Sequence, residues 1–193
     1  MTYEDSEVDR SPETEFGFLI EHKDRLGKRI KAKPVEHIGS IQFSKLHANF
    51  MNLISVFHYL VANVDFSAFA SADDEVCCHN HILFGEGEEH YYSIPYDFDM
   101  TGLVSAEYAT PNPRYGLRRI TQRFYRGRCE NNQYLAENLV LFRDKRDEIE
   151  AVIDSIPDLS KYSHKLIGRL VGEFYRIVDD PKLVEKRLVE RCN

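Results

Sequence analysis

The chain has no tryptophan and few prolines or cysteines, and each shortage excludes a class of protein. Four cysteines and seven prolines among 193 residues are too few for a disulfide-built framework or for a proline-rich unfolded chain. Apolar residues make up 42% of the chain and include 12 Phe and 11 Tyr, which is enough for one hydrophobic core. We therefore predict a single domain over residues 15–193, preceded by a flexible polar leader over residues 1–14.

Basic charge and long apolar runs are also scarce. The formal net charge of -7 disfavours a nucleic-acid partner, because phosphate backbones are bound by concentrated Lys and Arg. No run approaches membrane-spanning length, and the first ten residues are acidic where a secretory signal is basic and then apolar. We predict a cytoplasmic protein without a membrane partner. Its predicted reduced thiols are Cys77, Cys78, Cys129 and Cys192.

Hydrophobic periodicity predicts a strand and then a long helix in the first third of the chain. Alternating apolar residues over residues 15–22 are typical of a half-buried strand. Over residues 40–64 the apolar positions recur every three or four residues, with Ser40 as the N-cap. We expect this helix to be the central one.

The rest of the chain divides into a hairpin and a helical region. Residues 81–84 and 91–94 are β-prone runs separated by a glycine-containing stretch, which predicts a β-hairpin. Residues 131–193 carry two apolar stripes at helical spacing, and Asp180-Pro181 is typical of the start of a last helix.

Polar residues concentrate at the end of the predicted helix and at both ends of the hairpin. Asn63 and Asp65 follow the helix, Asn80 precedes the hairpin, and Asp97 and Asp99 follow it. The two ends of a hairpin are adjacent in space, so we expect Asn80 and Asp97 to be neighbours. Their oxygens suit Mg²⁺, although Asn and Asp taken singly also cap helices and form turns.

The motif order resembles that of a known family. Asn63-Val-Asp-Phe66, His79-Asn80 and Ile94-Pro-Tyr-Asp-Phe-Asp99 resemble the catalytic loop and metal-binding motif of protein kinases, and more narrowly those of the CotH family of atypical kinases. The resemblance covers roughly residues 16–130. It implies an α+β fold, a mostly helical kinase-like C-terminal lobe in which a short β-hairpin carries the metal-binding motif.

The resemblance also implies roles for individual residues. Asp65, with Asn63, would form the catalytic pair that positions the acceptor hydroxyl. Asn80 and Asp97 would bind magnesium and ATP, with Asp99 as a second metal-binding carboxylate, and the choice of chief ligand between the two aspartates stays open. The implied activity is ATP- and Mg-dependent phosphate transfer to a hydroxyl of a protein or small molecule.

The N-terminal lobe of a kinase is largely absent from the sequence. The strand predicted at residues 15–22 resembles the one that leads into the hinge, and only fifteen residues precede it. No Gly-rich loop, phosphate-binding lysine or partner glutamate helix is found there. We expect one of three alternatives: a fragment, a catalytic lobe completed by a neighbouring polypeptide, or an inactive truncated lobe that serves as an interaction module.

Two further signals have competing interpretations. The run Cys77-Cys-His-Asn-His81 contains zinc-ligand types, but adjacent cysteines rarely share one ion, so we favour structural thiols; its His-Asn-His is a weak match to a nuclease motif. Residues 114–128 are rich in arginine, a phosphate-binding side chain. Arg118, Arg119 and Arg123 are candidate substrate contacts. The alternative that we favour is a surface helix whose arginines pair with carboxylates.

Overall fold

The computed structural model describes residues 2–3, 13–14, 19–85 and 90–193 and shows an α+β fold. Within the predicted leader, β1 (Thr2–Tyr3) and β2 (Glu13–Thr14) pair antiparallel. The strand predicted over residues 15–22 is not tested in its first half, since residues 15–18 lie outside the described residues. Residues 19–22 are not in a strand.

A three-stranded antiparallel sheet contains the predicted hairpin. Helix α1 (Lys23–Ile30) leads into β3 (Lys33–Val35), which pairs with β4 (His81–Gly85). Strand β4 pairs in turn with β5 (Tyr92–Pro95). The connection between β4 and β5 includes residues 86–89, which are not described. Because His81 pairs with Pro95 at the open end of the hairpin, the residues before β4 lie next to those after β5.

The central helix α2 (Ala48–Val61) begins later than predicted. His47 caps it, with its Nδ1 atom 3.3 Å from the Phe50 amide nitrogen. Ser40 is not a helix cap, because its hydroxyl instead donates to the Ser71 carbonyl. The delay has a tertiary cause: Tyr91 exchanges backbone hydrogen bonds with residues 45 and 47 on either side of Leu46, and this holds that stretch extended.

The C-terminal half is helical where the apolar stripes predict it. Helices α3 (Leu135–Asp144), α4 (Arg146–Asp154), α5 (Lys161–Val178) and α6 (Pro181–Val184) follow one another, and a π-helical turn (Glu185–Val189) extends α6. Asp180 caps α6 by accepting the Lys182 amide. The main core joins these helices to α2 through Val56, Leu139, Phe174, Val178 and Leu188.

The cysteines are disulfide-bonded, which corrects the prediction of reduced thiols. Cys77 is bonded to Cys78, and Cys129 to Cys192 with a Cα–Cα distance of 5.0 Å. Asn193 brings the second pair together, because its backbone bonds to residues 127 and 129. Disulfides persist mainly in oxidising compartments, so the cytoplasmic location stays a prediction and this pairing weighs against it.

In the part of the chain that the structure describes, every helix is too short or too polar to cross a lipid bilayer.

Candidate active site

The turn after α2 positions Asn63 and Asp65. Helix α2 ends where Ala62 adopts a left-handed conformation with φ 53°. The Asn63 side-chain oxygen then accepts the Asp65 amide at 2.8 Å, a turn that Asn commonly forms. Asn63 is only 2% exposed. It therefore shapes the loop, while Asp65 is the residue with an accessible carboxylate, 33% exposed.

Asn80 and His79 converge on the Asp65 carboxylate. The Asn80 amide nitrogen donates to the Asp65 backbone oxygen at 2.7 Å and to its Oδ2 atom at 3.0 Å. The His79 ring nitrogen lies 3.2 Å from Asp65 Oδ1. With its nitrogen held by two acceptors, Asn80 turns its amide oxygen away from Asp65. That oxygen is the group that a hard cation would bind.

Asp97 lies directly beyond the open end of the hairpin, beside Asn80. The backbone amide of Tyr96 donates to the Asn80 carbonyl at 3.2 Å, so Asp97 is one residue from that contact. Its Oδ1 atom accepts the Asp99 amide at 3.3 Å. We call Asn63, Asp65, Asn80 and Asp97 the candidate active site.

Asp99 has a separate partner. Its Oδ2 atom accepts a hydrogen bond from the Tyr108 hydroxyl at 3.1 Å, and this bond raises the pKa of Tyr108. A metal at Asp99 would compete with that hydroxyl, whereas Asp97 has no side-chain donor among the described residues. A metal at this site would therefore meet less competition at Asp97 than at Asp99. In the described ranges no three His, Cys, Asp or Glu side chains come close enough together to hold an ion.

Arg126 holds the Asp65 loop and was not singled out by the sequence. Its guanidinium donates to the carbonyls of Val64 and Phe66, one on each side of Asp65. The same group lies over the Phe66 ring, 4.3 Å from its centroid, and 5.1 Å from that of Tyr115. The arginine-rich composition of residues 114–128 was the only local signal, and it does not distinguish Arg126 from its neighbours.

A buried histidine pair lies beneath the loop. The Nε2 atoms of His58 on α2 and His81 on β4 are 3.0 Å apart, and His81 Nδ1 lies 2.9 Å from the Ser93 hydroxyl. The Phe66 ring stacks on His58 with centroids 3.7 Å apart. Burial lowers the pKa of His58 well below its ordinary range and that of His81 to about 3. Both rings are therefore neutral, and they join α2, the hairpin and the loop.

We predict that acidification weakens the fold through this pair. The folded state keeps His81 neutral down to about pH 3, whereas an unfolded histidine takes up a proton near pH 6.5. The free energy of unfolding should thus fall below pH 6.5, by up to about 1.4 kcal/mol per pH unit for each such imidazole. Urea unfolding between neutral and mildly acidic pH should show a shallower pH slope in His81→Gln.

A matched control is Ser55→Ala, which removes a buried hydroxyl on α2 that does not titrate in this pH range. It should retain the wild-type pH slope. Equal slopes for His81→Gln and the wild type would contradict the role assigned to the buried pair.

The predicted arginine contacts separate into two kinds. The segment over residues 114–128 is not the predicted surface helix: it contains a short 3-10 turn (Pro113–Tyr115) and otherwise irregular backbone. Arg118 and Arg119 are exposed. Arg123 is 6% exposed and donates to the carbonyls of three residues, Tyr59, Leu60 and Leu170. Arg123 is therefore a packing residue that joins α2 to α5.

The histidines and cysteines of residues 77–81 do not form a zinc site in this structure. The sulfurs of Cys77 and Cys78 are bonded to each other, so neither is a thiolate. His79 faces Asp65, and His81 is buried against His58. These partners give structural reasons for the whole motif.

An apolar cavity runs along the hairpin that carries Asn80 and Asp97. Ile82 and Ile94 are opposite each other in the register of β4 and β5, and both are half-buried. Ile94 and Tyr92 line a cavity of about 550 Å³, together with Ile30 and Phe50. A volume of this size is typical of small-molecule sites, so an apolar recess and a polar cluster share one hairpin.

Comparisons with known proteins return no match, whether to protein-family models, to curated proteins or to solved structures. The likeness to CotH kinases therefore stays a prediction from the motifs.

Proposed function

We propose that this chain is a kinase-like lobe that binds magnesium and ATP at the candidate active site and transfers phosphate to a hydroxyl of a protein or small molecule. The observation that carries the proposal is the contact between Asn80 and Asp65. The side-chain nitrogen of Asn80 donates to Asp65, whose carboxylate would orient the acceptor. The side-chain oxygen of the same Asn80 amide would bind the metal. Phosphoryl transfer needs these two functions side by side.

Each residue has a role that its contacts support. Asp65 is held by Asn80 and His79 and remains partly exposed, so it can accept the proton of an incoming hydroxyl. Asn80 and Asp97 would supply oxygen ligands to Mg²⁺. Asn63 and Arg126 would position the loop without touching substrate.

The hairpin offers a place for the nucleotide base. Ile82 and Ile94 form a half-buried apolar face that begins directly behind Asn80 and Asp97. A purine ring on this face would direct its phosphates toward the metal ligands. Phosphate transfer would also need cationic groups above the nucleotide, which in our proposal a second lobe or a partner polypeptide supplies.

We expect Asp97→Ala to abolish the magnesium-dependent part of ATP binding, with at least about a tenfold loss of affinity, because the variant removes a charged metal ligand. The measurement is calorimetric titration of the folded chain with ATP, in magnesium and in EDTA. A matched control is Asp144→Ala, which removes an exposed carboxylate on α3. Unchanged magnesium-dependent binding in Asp97→Ala would overturn the proposal.

The second candidate is an interaction module with a kinase-like architecture and no activity. The dense contacts of the Asp65 loop to Arg126 and to the histidine pair favour it, since they also serve as plain structural support. A well-folded wild-type chain without affinity for magnesium and ATP would favour this candidate over the first.

A further inference from the structure

A basic cavity lies apart from the candidate active site. Its volume is about 350 Å³, and its wall includes no residue of the candidate active site. Exposed arginines line it from three separate segments: α5, the π-helical turn after α6, and the irregular segment before Arg123. These arginines are Arg119, Arg169, Arg176 and Arg187.

The positive charge of this cavity is not neutralised by its neighbours. Among the described residues, none of the four exposed arginines has a carboxylate oxygen within 4.0 Å. Glu173 is the single acidic residue in the described wall, and it lies 3.6 Å from Arg123, whose charge it offsets. Although the chain has a net charge of -7, this cavity is lined by arginines without a carboxylate partner among the described residues. Such a positive cavity raises the local concentration of anions.

A largely buried tyrosine in the cavity wall is a second observation that points to a ligand. Tyr59 on α2 is 4% exposed and contributes to the cavity wall, and its hydroxyl bonds to no described residue. Burial raises its pKa, and the charges of Arg123, Arg187 and Arg176 oppose that rise. Tyr59 thus shares the cavity wall with these guanidinium groups, and its hydroxyl can donate to an anion that they attract.

We propose that this cavity is a binding site for a small ligand with two or more phosphate groups. The cavity of about 350 Å³ is larger than a single phosphate, and its four exposed guanidinium groups offer more paired donors than one phosphate group needs. Guanidinium groups donate in pairs to phosphate oxygens, and the Tyr59 hydroxyl adds a neutral donor. The cavity is within the size range of small-molecule sites and is too narrow for a folded partner.

The test is calorimetric titration of the full chain with inorganic tripolyphosphate in EDTA, which excludes the magnesium-dependent site. We expect saturable binding that Arg176→Gln and Arg187→Gln each weaken by at least about fivefold, because each loses a charged donor. Tyr59→Phe, which keeps the ring, should weaken it by about threefold. Arg191→Gln removes an exposed cation outside the cavity wall and should stay within about twofold of the wild type.

Several outcomes would overturn the proposal. These are an absence of saturable binding, an unchanged affinity in the Arg176→Gln, Arg187→Gln double variant, and an equal loss in Arg191→Gln. Single-stranded RNA that competes fully and binds more tightly, with the same sensitivity to the two substitutions, would replace the small ligand with a nucleic-acid backbone. Tripolyphosphate binding should persist in Asp97→Ala, so this site can be tested whether or not the kinase proposal holds.

Discussion

Replacing Arg126 with methionine is expected to lower the free energy of unfolding by about 3 kcal/mol and to release the loop that carries Asp65. The guanidinium donates to the Val64 and Phe66 carbonyls and packs on the Phe66 ring. Methionine fills similar space but donates no hydrogen bond. Two partly buried carbonyls would lose their partner, and an unmade buried bond costs about 1–3 kcal/mol.

The same substitution should affect function separately from stability. Arg126 grips the backbone on both sides of Asp65, so its loss should misplace the carboxylate relative to Asn80 even where the chain is folded. We expect weaker magnesium-dependent ATP binding well below the unfolding midpoint. Both bonds come from the same nitrogen, Nη1. Arg126→Lys keeps the charge but has a shorter side chain and lacks the planar group that packs on the Phe66 ring, so it should fall between the wild type and methionine.

Urea unfolding and calorimetry on the same preparations provide the measurement. The matched control is Arg114→Met, since Arg114 is exposed and lies 6.0 Å from the centroid of the Tyr115 ring that Arg126 also contacts. This control should change the free energy of unfolding by less than about 0.5 kcal/mol. If Arg126→Met were equally mild, the loop would have to be held by its other contacts.

Removing the Cys129–Cys192 disulfide is expected to lower the free energy of unfolding by about 4 kcal/mol. The bond joins residues 63 apart in the sequence and encloses helices α3 to α6. A cross-link over a loop of that length restricts the unfolded chain strongly, so its loss stabilises the unfolded state. The double variant Cys129→Ser, Cys192→Ser isolates this effect, because Cys129 is exposed and Cys192 half-exposed.

The Cys77–Cys78 bond supplies the internal comparison. It joins adjacent residues and closes no loop, so the double variant Cys77→Ala, Cys78→Ala should lose much less stability. Urea unfolding of the wild type with a thiol reductant should reproduce the loss seen in the Cys129, Cys192 variant. An unfolding midpoint insensitive to reductant would show that this bond does not stabilise the chain.

Local patterns predicted the elements well where packing did not compete with them. The apolar stripes that became α3, α4 and α5 and the β-prone runs that became the hairpin are properties of neighbouring residues. The start of α2 could not be found this way. Ser40 has the chemistry of a cap, but Leu46 is held extended by the backbone of Tyr91, a residue 45 positions away.

The sequence predicted which residues lie together in the candidate active site, while their roles in chemistry stay predictions. The adjacency of Asn80 and Asp97 follows from the geometry of a hairpin, and the structure brings Asn80 to Asp65. Asn63 is a turn residue, and Asp99 is occupied by Tyr108. Arg123, a candidate substrate contact, is buried against three carbonyls. These distinctions depend on burial and partners, which a single sequence does not display.

The few cysteines show the difference between what the sequence decides and what the tertiary structure decides. By itself the sequence determined an α+β chain with a hairpin, a helical second half and polar residues at both ends of the hairpin, because periodicity and turn chemistry are local. Only the tertiary structure decided that Cys129 meets Cys192, that Arg126 holds the Asp65 loop and that four arginines share one cavity. Each of these contacts joins residues far apart in the chain, and their pairing is set by how the helices pack.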